Sequence, residues 1–230
     1  MAKNIIKHIP NTLTCCNLIS GCMAVISASN ADAWHTLLWV AAGALFDFLD
    51  GLSARLLNVH SPIGKELDSL ADMVTFGLAP ALLCLMTLRG FSYPNAIFAS
   101  YYPYIALMLV VFAALRLAKF NTDRRQDTSF LGLAVPANAL FWCGLFQMNL
   151  SGTAGAPWII GGLVIIFALL MVSEVPMFSL KFKNLKWADN KIRYIFLIVS
   201  LVILLLLWKE GLSAVICWYI ILSILTKGHQ

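Results

Sequence analysis

Residues 47–72 read DFLDGLSARLLNVHSPIGKELDSLAD, and this stretch decides how the rest of the chain is read. Asp47 and Asp50 stand at i and i+3 near the end of one apolar run. Asp68 and Asp72 stand at i and i+4 near the start of the next. On helices, each pair occupies one face. Carboxylates inside apolar segments are costly and mark functional sites by default. The two runs are joined by a short connection, so they are expected to be antiparallel neighbours with their acidic faces meeting at one depth. Ala41, Ala42, Gly43, Ala44, Gly51 and Ala54 keep one side of the first run thin, which favours close helix approach.

The surrounding composition sets the medium. Of 230 residues, 60% are hydrophobic and 12% charged, and the mean hydropathy is +0.83. This describes an all-α, polytopic membrane helix bundle and excludes a soluble globule. A spanning helix takes about 20 apolar residues, so a single integral-membrane domain, 1–230, accounts for the chain. About eight spans are expected, near 12–28, 34–57, 66–88, 97–118, 131–150, 157–174, 193–209 and 211–226. The last two could instead form one broken helix. Ile5, Ile6 and Ile9 interleave with Lys3, Lys7 and His8, predicting a short N-terminal amphipathic helix on the bilayer surface. The first apolar stretch runs directly into the bundle pattern, unlike a cleaved signal peptide.

Charge orients this bundle. With both termini inside, Lys3, Lys7, Arg55, Lys65, Arg116, Lys119, Arg124, Arg125, Lys181, Lys183, Lys186, Lys191, Arg193 and Lys227 fall inside, and Arg89 and Lys209 outside. That asymmetry follows the positive-inside rule and places all four aspartates in the cytoplasmic half. The net charge of +5 reads as attraction to anionic membrane lipids, with no sign of nucleic-acid binding.

Four acids on facing surfaces repel one another, and a divalent cation relieves that repulsion, since Mg²⁺ and Mn²⁺ favour hard oxygen ligands. The competing explanation pairs Asp50 with Arg55, and lets Asp68 pair with Lys65 or cap a helix. It accounts for one or two acids, not four. Gly51 inside a helix costs roughly 1 kcal/mol relative to Ala, which suits close approach by a ligand or another backbone. Gly64 could do the same or serve as a turn residue. A divalent-cation transporter is the rival class, but it favours acids spread through the bilayer depth or repeated in a second half. Neither pattern occurs here.

The stretch resembles the signature of the CDP-alcohol phosphotransferases: Asp47, Asp50, Gly51, Ala54, Arg55, Gly64, Asp68 and Asp72 match it without a spacing departure. The resemblance implies a polar cavity open to the cytoplasm, where an alcohol displaces CMP from a CDP-linked lipid. By matched position it implies Asp47, Asp50, Asp68 and Asp72 as ligands of two divalent ions, with Asp72 also the catalytic base. It implies Asn11, Gly51, Ala54, Arg55, Ser61 and Gly64 as contacts of the CDP-lipid. The chain is further similar to the phosphatidylserine synthase branch in IPNTLTCCNLISG (9–21), ELDSLADMVTFGLAP (66–80), RLAKFNTD (116–123) and FLGLAVP (130–136). It departs from that branch at Ala134, where a proline is common. The branch implies CDP-diacylglycerol and L-serine as substrates, a homodimer, and a bacterial inner membrane. Glycerol 3-phosphate and inositol phosphate are the alternative acceptors.

A serine carboxylate needs a cation. Arg116, Lys119 and Asn121, within the candidate acceptor-side segment 116–136, could serve it, or could be snorkelling charges at a span end. Cys15, Cys16, Cys22, Cys84, Cys143 and Cys217 show no paired-ligand spacing and are expected to be buried packing residues. His8, His35, His60 and His229 are scattered near the interfaces, His60 lying beside Ser61.

Overall fold

Eight helical rods are present in the computed structural model, which describes residues 8–59, 61–122, 130–150, 153, 155–178, 180 and 186–226. The expected amphipathic segment falls largely outside the described residues. Helix α1 (Ile9–Ser29) carries Pro10 in its first turn, where the missing N–H would have no partner anyway. Its buried positions are Pro10, Thr14, Asn17, Ser20, Gly21, Ala24 and Ala28. They recur every three or four residues and are small or polar, while Ile19 and Ile26 face outward. This inversion of the soluble pattern follows from an apolar solvent: in lipid, small and polar residues make the helix contacts.

Helix α2 (Ala33–Leu57) is capped by Asp32, which accepts from the His35 amide at 3.0 Å, and it ends at Asn58 in the left-handed region, φ 50°. The His35 amide and ring hold the exposed Asp32 carboxyl below the usual carboxylate range. Helix α3 (Pro62–Arg89) starts four residues before the expected span. Ser61 caps it by accepting from the Gly64 amide at 3.2 Å. Its regular hydrogen bonding is interrupted by a π turn at Met73–Leu78, directly after Asp72. Helix α4 (Ala96–Thr122) contains a 3₁₀ turn at Tyr102–Ala106.

The acidic faces of α2 and α3 meet as expected through their side chains, while the helix backbones stand apart there. Helix α1 lies along both, its contact with α2 being the most extensive in the molecule, and α2 meets α3 mainly at the π turn and beyond. The two helices therefore diverge where the acids are, and the gap becomes a cavity.

The expected span 131–150 is corrected to a shorter element. Phe130–Leu131 (β1) pairs antiparallel with Pro176–Met177 (β2), and helix α5 covers only Val135–Leu145. Gly132, at φ 72°, and Pro136 in the first helical turn prevent the helix from extending backwards. At 1.5 Å per residue, α5 is about 16 Å long, half a bilayer core. It survives because it is enclosed: Asn138, Ala139, Phe141, Trp142, Cys143 and Gly144 are buried.

Helix α6 (Ala156–Val172) precedes the hairpin of α7 (Trp187–Leu207) and α8 (Gly211–Leu225). The alternative of one broken helix is excluded by packing. Phe196 of α7 lies 5.8 Å from Tyr219 of α8, whereas a continuous helix would separate them by about 35 Å. Trp208, at φ 52°, makes the reversal. All six cysteines are free, but only Cys84 and Cys143 are buried; Cys15, Cys22 and Cys217 are exposed and Cys16 intermediate. The inward face of α1 is already filled by Thr14, Asn17 and Gly21, so its cysteines turn outward.

Candidate active site

Carboxylate oxygens of Asp47, Asp50 and Asp68 all lie within 4.8 Å of one another. Asp50 is 7% exposed and accepts a 2.6 Å hydrogen bond from Thr14 Oγ1. Asp68 Oδ1 is buried without a hydrogen-bond partner. Neither proposed counter-ion is in place. The Arg55 Nε donates to Gly51 O at 3.0 Å, and Lys65 Nζ donates to Asn121 O at 3.2 Å. Asp32, at the start of α2, is by contrast paired with His35 at 2.7 Å. Three converging carboxylates and an unsatisfied buried oxygen form a donor set that fits a hard divalent cation. Asp72 is set apart from the three. Its Oδ1 accepts from Asn17 Nδ2 at 3.1 Å.

The cluster borders a cavity of about 590 Å³ lined from three helices: Pro10, Asn11 and Thr14 of α1, Asp50, Gly51 and Ala54 of α2, and Pro62, Gly64, Lys65 and Asp68 of α3, with Val59 and Ser61 between α2 and α3. Five of the six residues implied as CDP-lipid contacts line it; Arg55 does not. A Cβ at Gly51 would meet nothing within 4 Å, so that backbone is open to the cavity. At Gly64 a Cβ would stand 2.8 Å from Asn11 Oδ1, so this glycine lets α1 and α3 close at the cavity wall. The N-terminus of α3 also opens here, and its dipole favours an anion such as phosphate.

The model of the CDP-alcohol phosphatidyltransferase family matches residues 7–226. The chain belongs to that family. Among its curated relatives, a CDP-diacylglycerol–serine O-phosphatidyltransferase of Helicobacter pylori strain J99 is 31% identical over 232 residues, covering 98% of this chain and 93% of the relative. The Bacillus subtilis protein of the same name is 36% identical over 134 residues, 56% of this chain and 70% of the relative. An archaetidylserine synthase of Methanothermobacter thermautotrophicus is 27% identical over 170 residues, 73% of this chain and 68% of the relative.

Within this CDP-alcohol phosphatidyltransferase the acceptor-side residues occupy a different place from the cavity lining. Arg116 is 4% exposed, its guanidinium 4.8 Å from the Phe120 ring centre and its Nε without a hydrogen-bond partner. Lys119 Nζ donates to Val172 O at 3.3 Å, satisfying the C-terminus of α6. Asn121 Nδ2 donates to Ser69 Oγ at 2.7 Å. None of the three lines the cavity. Arg124, Arg125 and His60 fall outside the described residues.

Three polar residues with no sequence-derived role stand at the acids: Thr14, Asn17 and Thr75. Their signal was present. Thr14 and Asn17 are spaced i, i+3 inside an apolar span, and a buried polar pair there needs partners.

Proposed function

We propose that this membrane enzyme transfers the phosphatidyl group of CDP-diacylglycerol to the hydroxyl of L-serine, giving phosphatidylserine and CMP. The observation that carries the reading is the convergence of Asp47, Asp50 and Asp68 beside a cavity headed by a helix N-terminus. The serine assignment is supported by the named activity of relatives that align over nearly the whole chain.

In this mechanism Asn11, Gly51, Ala54, Ser61 and Gly64 hold the nucleotide and pyrophosphate. Arg55 reaches the phosphates through the guanidinium nitrogens left free by its bond to Gly51 O. Asp47, Asp50, Asp68 and Asp72 would hold two divalent ions, Mg²⁺ or Mn²⁺, whose charge would neutralise the pyrophosphate and the departing CMP. The serine oxygen attacks the phosphorus that carries diacylglycerol. That P–O bond forms, the P–O bond to CMP breaks, and CMP leaves with the electron pair. Asp72 takes the hydroxyl proton. Arg116, Lys119 and Asn121, which stand outside the cavity lining, are the residues assigned to the serine carboxylate. The site faces the cytoplasm of a bacterial inner membrane, both termini lie inside, and the working form is a homodimer.

Transfer of labelled L-serine into lipid by the purified protein tests this reading, with CDP-diacylglycerol and Mg²⁺ or Mn²⁺. Glycerol 3-phosphate and inositol phosphate are run in parallel. Metal-dependent phosphatidylserine and stoichiometric CMP are expected. Label from another acceptor alone would retain the carboxylate chemistry and discard serine. Absence of product from all three, in protein that binds CDP-diacylglycerol, would reject the transferase.

A further inference from the structure

Asp72 is held by a two-residue relay that reaches it from the π turn of its own helix by way of α1. Thr75 Oγ1 donates to Asn17 Oδ1 at 2.8 Å and to Asn17 O at 3.2 Å. Asn17 Nδ2 then donates to Asp72 Oδ1 at 3.1 Å. Thr75 and Asn17 are both completely buried. The polarity is fixed by chemistry. An ionised carboxylate only accepts, so Asn17 must turn its amide nitrogen to Asp72 and its oxygen away. A hydroxyl donor must then meet that oxygen. Thr75 supplies it and thereby locks the amide in the one orientation useful to Asp72.

The surrounding backbone is built around this contact. A Cβ at Gly43 would lie 2.5 Å from Thr75 Cγ2 and 2.9 Å from Asn17 Oδ1. A Cβ at Gly21 would lie 3.0 Å from Thr75 Cα. Three helices therefore converge on the threonine, two of them through glycine. The π turn Met73–Leu78 begins one residue after Asp72 and carries Thr75. Such widened turns change the register of the residues that follow, and they gather at functional sites.

We infer that Thr75 and Asn17 are positioning residues that fix one oxygen of Asp72 and leave the other for the reaction. The inference rests on the assignment of Asp72 as the proton acceptor. It predicts that the hydroxyl of Thr75, rather than its volume, matters for turnover, although Thr75 does not line the cavity.

The test compares Thr75→Val, which keeps the shape and loses the donor, with Thr75→Ser, which keeps the donor. In the full-length protein Thr75→Val is expected to lower kcat about tenfold, a modest misplacement effect. The KM for CDP-diacylglycerol should stay within about twofold, since the cavity is untouched. Thr75→Ser is expected to retain most of kcat. Asn17→Ala should lower kcat at least as much, and adding Thr75→Val to it should cost nothing further, because the two act in series. Equal losses in the Val and Ser variants would overturn the inference, as would additive losses in the double variant. A Thr75→Val enzyme within twofold of the parent would do the same. If Thr75→Val fails to bind CDP-diacylglycerol, a Thr75→Ser variant with less than half the parent kcat overturns it and one near the parent sustains it. Asp72→Asn separates the two levels. An inactive Asp72→Asn with a fully active Thr75→Val removes only the relay, whereas an active Asp72→Asn removes the role of Asp72 itself.

Discussion

Asp50 and Asp72 are each tethered by one polar residue of α1, and the tethers make different predictions. Thr14 donates to Asp50 at 2.6 Å within the three-carboxylate cluster. A hydrogen bond to a charged group contributes roughly 1.5–3 kcal/mol, so Thr14→Val is expected to raise the metal concentration for half-maximal activity by about tenfold or more. Titration of activity with Mg²⁺ and Mn²⁺ measures this; an unchanged midpoint would show that Asp50 is oriented by the metal alone. Asp72→Asn is expected to abolish turnover while CDP-lipid binding, read by ligand protection against heating, survives. Arg55→Ala should raise the KM for CDP-diacylglycerol several-fold with a smaller change in kcat, and an unchanged KM would leave Arg55 with its bond to Gly51 and no substrate role. The acids were legible because carboxylates in apolar runs have few explanations. Thr14, Asn17 and Thr75 were less so: hydroxyl and amide groups can be satisfied within their own helix, as Ser20 is by Cys16 O. Their long-range partners become visible only when α1 is seen to lie between α2 and α3.

Helix α5 shows what hydropathy cannot reveal about an element. Residues 131–150 are apolar enough to resemble a span, yet the helix occupies Val135–Leu145 and is enclosed by its neighbours. Its contact with α8 is backbone-close at Gly144, where a Cβ would stand 2.7 Å from Ser213 N and 2.8 Å from Leu212 Cβ. Gly144→Ala is therefore expected to lower stability by about 1–3 kcal/mol through overpacking. Gly162→Ala in α6 is the control, since a Cβ there meets nothing within 4 Å; it should be neutral or stabilising by up to about 1 kcal/mol. Thermal unfolding in detergent compares them, and equal midpoints would mean that α5 and α8 separate at no cost. Ser61 and Pro62 carry a cap-and-proline start signal that hydropathy, which puts the span at 66, does not register. The π turn was not legible, because nothing in MVTFGL distinguishes it from α-helix; within it Thr75 fits closely against Gly21 and Gly43 of two other helices.

At the scale of the whole molecule, the acids gather at one end because alternating helices bring the start of α1, the end of α2, the start of α3 and the end of α4 together. Asn11 against Gly64, and Lys65 against Asn121, mark that end. Arg89 and Tyr104, hydrogen-bonded at 2.9 Å, lie along α3 and α4 away from it. Fourteen of the sixteen lysines and arginines are assigned to the acidic side by the positive-inside pattern. Serine and CMP are charged and water-soluble, so they do not cross a sealed bilayer, whereas the proposed CDP-lipid substrate is itself a membrane component. Sidedness of activity therefore reports the orientation of the protein. In sealed inverted membrane vesicles, external L-serine should be incorporated into lipid at once, and added detergent should change the rate little. In sealed right-side-out vesicles the same activity should be latent and appear on permeabilisation. Full activity in intact right-side-out vesicles would place the aspartates on the opposite face and require the charge asymmetry to be explained by lipid binding instead of topology.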